Sequence, residues 1–279
     1  MKFKIAALVP FSLFLLPFFA RASTADITVD LKLDNIDYVS GERVRAVVDI
    51  ANASPGKVSY GYSNSDDSFF VELFRSNGML QMEQISTGLF VSPFRIESNE
   101  GQKLETFLGD HYGLRDVGKY LARPVLVHGG KRYEGSLRAF SVVPGMTVAT
   151  ALQMFKNRDG LRREFELRSW SRKNKNHLFL CARDEGTSER KWETTDLGPM
   201  MNIFKPTVTV LPGGEIIVLH RYNRDNYLRT EFWSLPDAME FQKRETVQDP
   251  ETAGSRRVQE LYKESGGVKP KIRPWYQFW

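Results

Sequence analysis

The side chains able to do chemistry are few and scattered along the 279 residues. Four histidines, His111, His128, His177 and His220, each stand alone, with no second histidine three or four positions away, so the spacing of a zinc site is absent. His111 follows Asp110, and His220 ends an apolar run. Either could act as a base, but a base must reach its proton in space, and no sequence pattern here supplies a partner. The single cysteine, Cys181, follows Leu178, Phe179 and Leu180 and reads as a buried core residue, too enclosed to be a reactive thiolate. No serine lies in a nucleophile-elbow pattern, and no phosphate-binding loop occurs. No catalytic residue, metal ligand or cofactor is therefore assigned.

Binding is the chemistry with more material. Tyr62 to Ser68 (Tyr-Ser-Asn-Ser-Asp-Asp-Ser) is dense in the oxygen ligands that hard cations prefer, but it lacks the spacing of a calcium loop and reads as a solvated turn. Lys156 to Lys175 carries eight basic residues against Asp159, Glu164 and Glu166, a mixture that reads as a solvated strand face. All five tryptophans, Trp170, Trp192, Trp233, Trp275 and Trp279, lie in the second half. Trp275, Tyr276, Phe278 and Trp279 put four aromatics in the last five residues. The binding candidates are accordingly Trp170, Trp192, Trp233, Trp275, Tyr276 and Trp279. The terminal aromatics are similar to the last strand of outer-membrane barrels, but the strands are too short and too mixed for a barrel. The expectation is a tail, residues 266–279, that packs on its own second domain or meets a partner.

The N-terminus bears on which partner. Lys2 and Lys4 precede an apolar run from Ile5 to Ala20, broken by Pro10, Ser12 and Pro17, and Ala20-Arg21-Ala22 follows. That is the layout of a secretory signal peptide over residues 1–22, with cleavage before Ser23. The run is short for a membrane span, so no transmembrane segment is expected after cleavage. Removing Lys2, Lys4 and Arg21 leaves 36 basic against 34 acidic residues. A near-neutral exported chain is a poor fit to nucleic acid, and its lack of a cysteine pair leans toward a bacterial periplasm or cell surface.

The elements that position these groups read as strands. Ile27, Val29, Leu31 and Leu33, then Val44, Ala46, Val48 and Ile50, alternate with polar residues, the period of a strand with one face buried. Short strands follow at Phe70–Phe74, Phe94–Ile96, Leu104–Leu108, Tyr120–Val127 and Arg138–Val143. Val143-Pro144-Gly145 marks a boundary, and Val148, Ala151, Leu152 and Phe155 have the spacing of one short helix. Residues 146–265 then read as an antiparallel meander: Phe165–Trp170, His177–Ala182, Thr207–Leu211, Glu215–His220 and Tyr227–Trp233. Pro212-Gly213-Gly214 forms the clearest hairpin turn. Short helices are expected from Pro236 to Phe241 and after Ser255.

Leu114-Arg115-Asp116-Val117-Gly118-Lys119-Tyr120, leading into a strand, resembles the tyrosine corner of immunoglobulin-like sandwiches, in which a tyrosine bonds back to upstream backbone. With its flanking strands, the stretch of about residues 26–145, within a first domain of 23–145, resembles the immunoglobulin-like domains of secreted bacterial proteins. The resemblance implies an all-β architecture and no function. The expected protein is an immunoglobulin-like sandwich followed by an antiparallel β-meander domain with short helices, exported, binding or scaffolding without catalysis. Its partner would be an envelope protein or a glycan. The alternatives are a carbohydrate-active hydrolase or its accessory module, using the tryptophans, and a protease inhibitor using the loop Tyr60 to Ser68.

Overall fold

A computed structural model describes residues 26–63, 65–155, 161–185 and 192–248, the Trp192 side chain excepted. The expected signal peptide, the helix expected after Ser255 and the aromatic tail fall outside these residues. Among the described residues, two short helical turns, Asn77–Met79 and Leu108–His111, interrupt an otherwise all-β structure.

The first half contains β1 (Ile27–Leu33), β2 (Asp37–Val39), β3 (Arg45–Asn52), β4 (Val58–Tyr60), β5 (Ser68–Arg75) and β6 (Leu80–Gln81). It continues with β7 (Phe94–Ile96), β8 (Glu100–Phe107), β9 (Gly118–His128), β10 (Lys131–Glu134) and β11 (Arg138–Val143). One sheet runs β1-β3-β8 and a second runs β2-β11-β9-β5-β6, with β10 also on β9 and a separate β4-β7 ladder. All pairings are antiparallel except β2 with β11. The alternation seen in β1 is used as expected: Ile27, Val29 and Leu31 point inward and meet Leu73, Tyr120 and Phe140 of the other sheet in one core. Tyr120 is 1% exposed, its ring is stacked 5.4 Å from Phe140, and its hydroxyl donates to the Asp116 carbonyl at 2.7 Å. That is the upstream backbone bond read from the sequence.

The second half is two consecutive four-stranded meanders. The first is β12 (Met146–Met154), β13 (Arg162–Arg172), β14 (Lys175–Glu185) and β15 (Trp192–Pro199). The second is β16 (Thr207–Val210), β17 (Glu215–Arg221), β18 (Asn226–Ser234) and β19 (Met239–Gln248). Phe165, Leu167 and Leu180 of the first sheet pack against Ile216, Val218 and Phe232 of the second. In the expected hairpin, Gly214 takes φ 93°, and a Cβ there would lie 2.9 Å from the Ser234 carbonyl oxygen.

Both helices expected within the described part of this half are strands or turns. The Val148–Phe155 segment is β12, because β13 offers it a full ladder: Ala149 and Ala151 face Leu167 and Phe165, while Leu152 and Met154 point outward. A register shift between Thr147 and Ala149 makes the apolar spacing look helical. From Pro236 to Ala238 the chain makes the turn between β18 and β19, closed by mutual backbone bonds of Leu235 and Ala238, and Met239 to Phe241 begin β19. Arg163 fixes that turn by donating to the carbonyls of Leu235 and Pro236 at 2.8 and 3.2 Å.

Candidate functional site

The groups able to do chemistry gather mainly where the two halves meet. After β2, the turn Ser40–Glu42 reaches the free edge of β15: Thr194 N–H donates to the Gly41 carbonyl at 3.1 Å, and its hydroxyl to the Ser40 carbonyl at 2.8 Å. Beneath this contact, Val39 packs with Phe179 and Cys181, and Val143 and Trp170 border them. Gly145 turns the chain between the halves at φ 68°, and a Cβ there would lie 3.2 Å from the Arg168 side chain.

Arg172 is the centre of the junction. Its guanidinium donates to both carboxylate oxygens of Glu42 at 3.0 and 2.7 Å, to Asp196 at 3.0 Å and to the Asp37 carbonyl at 3.0 Å. Asp196 also meets His177 Nδ1 at 3.1 Å and accepts from Gly198 N–H at 2.7 Å. Burial pushes the Glu42 carboxyl above the usual carboxylate range despite the bonds from Arg172. A cleft of about 410 Å³ opens beside this network, between Asp34 to Asp37 and Ser171 to Asn174. Here His177 and Asp196 are joined to a fixed arginine, which leaves the pair holding structure together.

A second cleft, of about 560 Å³, lies along β5 and β6 against Tyr112. Its buried carboxylate, Glu72, is bound by Arg123 and Arg132, each at 2.7 Å. Burial raises the Glu72 carboxyl, but the two guanidinium groups outweigh it and hold it below the usual range. A carboxylate so engaged is a poor proton acceptor.

The remaining sequence candidates are dispersed. His111 stacks on Phe90 at 4.1 Å, and burial lowers its pKa; Asp110 pairs with Arg43 at 2.7 Å instead. His128 Nδ1 lies 2.9 Å from Asp67, whose other oxygen accepts from Ser59 N–H at 2.8 Å. The oxygen-rich loop thus spends Asp67 on its own neighbours, and no group of three His, Cys, Asp or Glu is placed to hold a metal among the described residues. His220 is 1% exposed, and burial, aided by Arg244, pushes it down to about 4. The Cys181 thiol is pushed up to about 11 by burial.

Asn52, which begins a glycosylation-like triplet, is 1% exposed and donates to the Gly56 carbonyl at 2.7 Å. Of the tryptophans, Trp170 borders the junction core, its indole nitrogen buried and without a hydrogen-bond partner among the described residues. Trp233 is 39% exposed on the opposite sheet, so the described structure does not bring the two together. Trp192 is described only as the start of β15, and Trp275, Tyr276 and Trp279 lie outside the described residues. Sequence reasoning missed the structural arginines: Arg163 is buried against Asp184, and Arg172 joins the halves.

No family model matches the chain. No curated protein matches it either. Among solved structures, the sporulation control protein Spo0M of Bacillus subtilis aligns over 86% of this chain and 97% of its own, at 11% identity and a TM-score of 0.31. That likeness is too slight to inform fold or function. Among the described residues, no helix is long and apolar enough to cross a membrane.

Proposed function

We propose that the chain is an exported bacterial envelope protein, periplasmic or secreted, that binds or scaffolds a partner without catalysis. In this reading the first half is an immunoglobulin-like sandwich, supported by two sheets around one core and by the Tyr120 bond to Asp116. The observation that carries the functional reading is the junction. His177, Asp196, Glu42 and Arg172 form a connected charged group at the junction, and their bonds join two β-rich halves. A chain that fixes one set of sheets against another presents a composite surface, which suits a scaffold.

The test combines location with that surface. Mass spectrometry of the exported protein should find Ser23 as the first residue. Photo-crosslinkers placed at exposed positions in living cells should give discrete adducts that weaken in Arg172→Ala, together with faster proteolysis near Pro144. Cytoplasmic protein retaining Met1, or adducts indifferent to Arg172→Ala, would count against the reading.

A further inference from the structure

On the face of the β16–β19 sheet turned away from the shared core, cross-strand partners form rows. One row is Glu215, Trp233 and Glu240, one residue from each of β17, β18 and β19. The next is Ile217, Glu231 and Lys243, where Glu231 is bound by Arg229 at 2.7 Å and Lys243 at 3.2 Å. Glu245, further along β19, also meets Arg229 and Lys243. The Trp233 row has no such compensation: Glu240 is exposed, Glu215 is half-buried, and neither carboxylate has a side-chain partner among the described residues. A register shift in the β18–β19 ladder, between Glu231 and Phe232, separates the two rows, and bulges of this kind re-aim side chains.

Neighbouring strands lie about 4.8 Å apart, so the indole has a carboxylate on either side, held by sheet backbone rather than by a loop. The indole rests near Gly213 of the hairpin, where a Cβ would meet ring atom Cζ3 at 3.8 Å. The ring lies beside the hairpin with 39% of the residue exposed. Ionised carboxylates only accept hydrogen bonds, and the indole adds an electron-rich face. Sugar hydroxyls can donate to these carboxylates but carry no charge that would offset the two negative groups. A group that only donates and carries positive charge matches all three members at once.

We propose that Glu215, Trp233 and Glu240 form a binding site for an arginine or lysine side chain of a partner polypeptide, an inference that rests on the binding reading above and names its partner's chemistry. The cation would lie on the Trp233 ring between the two carboxylates and relieve their mutual repulsion.

Titration of the exported full-length protein with hexa-arginine, followed by calorimetry at low and high salt, tests this. Glu215→Gln with Glu240→Gln should weaken binding about tenfold, and Trp233→Ala about threefold to fivefold, as the loss of exposed charge pairs and of a cation–π contact requires. Glu245→Gln, whose carboxylate is already engaged, should leave affinity unchanged. High salt should weaken binding to the wild type more than to the double variant. All substituted side chains are at least partly exposed, and circular dichroism with melting curves checks that each variant folds. Hexa-arginine binding indifferent to all three substitutions would overturn the site. Binding of neutral cellohexaose that depends on Trp233, without hexa-arginine binding, would overturn it in favour of a glycan platform. Failure of every probe would remove the site, while the crosslinking result at the junction would still decide the scaffold reading separately.

Discussion

Lowering the pH from 7.5 to 5 should destabilise the second half by a calculable amount through one residue, His220. Its ring is 1% exposed on the inner face of β17, with neither nitrogen in a well-formed hydrogen bond, and burial pushes its pKa down to about 4. An unfolded histidine titrates near 6.5. Below pH 6.5 the unfolded chain therefore takes up a proton that the folded chain refuses. The stabilisation is full above 6.5, falls as the pH drops toward 4, and levels off below that. Linkage gives a loss of about 2 kcal/mol by pH 5 and about 3 kcal/mol in total. Because every tryptophan lies at or beyond residue 170, tryptophan fluorescence during urea unfolding follows the second half selectively. His220→Leu removes the titrating ring, so its stability should change less than the wild type between pH 7.5 and 5, by about those 2 kcal/mol. His111, also lowered by burial, lies in the first half and stays constant in this comparison. Parallel stability curves for the two proteins, or a His220 proton resonance titrating near 6.5 in the folded state, would refute the reasoning.

Three further outcomes follow from packing. Tyr120→Phe should cost about 1 kcal/mol for the lost bond to Asp116, and Tyr120→Ala about 3 kcal/mol or more for the cavity beside Phe140; unchanged urea midpoints in both would remove the corner. Arg163→Ala should destabilise by about 3 kcal/mol or more, since it strands the buried Asp184, and Asp184→Asn should recover part of that loss; equal stability of Arg163→Ala and wild type would show that the pair is not closed in solution. Cys181, with its thiol near 11, should resist aromatic disulfide reagents at pH 8 in native protein and react at once in urea; prompt native labelling would contradict its burial.

Strands with one buried face were legible because a period of two is visible in any order of the chain. Arg138–Val143 and Phe94–Ile96 were placed to the residue, and β1 and β3 nearly so. Two edge strands poor in apolar residues were not. Trp192–Pro199 and Met239–Gln248 have few apolar residues, since each is held along one side by a backbone ladder while its side chains are largely polar. The Val148–Phe155 spacing fits a helix and a bulged strand equally, and only the availability of β13 decides between them. Backbone pairing of this kind depends on a partner that periodicity in one segment does not contain.

The same limit explains why the basic stretch from Lys156 to Lys175 was misjudged in part. Arg162 pairs with Glu185 on the sheet surface, as a mixed-charge face predicts, while Arg168 pairs with a half-buried Glu166. Arg163 and Arg172, however, are buried, and their partners Asp184 and Glu42 stand 21 and 130 residues away. A buried arginine needs several acceptors at fixed angles, and a strand shifted by one residue would turn it to the opposite face. Arg163 finds its acceptors in Asp184 and in the β18–β19 turn, and Arg172 finds its own in Glu42, Asp196 and the Asp37 carbonyl. Each arginine thus selects one register and one docking of its sheet, a role that concerns specificity more than net stability. Charges committed in this way are withdrawn from ligand binding. The carboxylates beside Trp233 stand out against that background because the same sheet pairs Glu231 and Glu245, while Glu215 and Glu240 have no side-chain partner among the described residues.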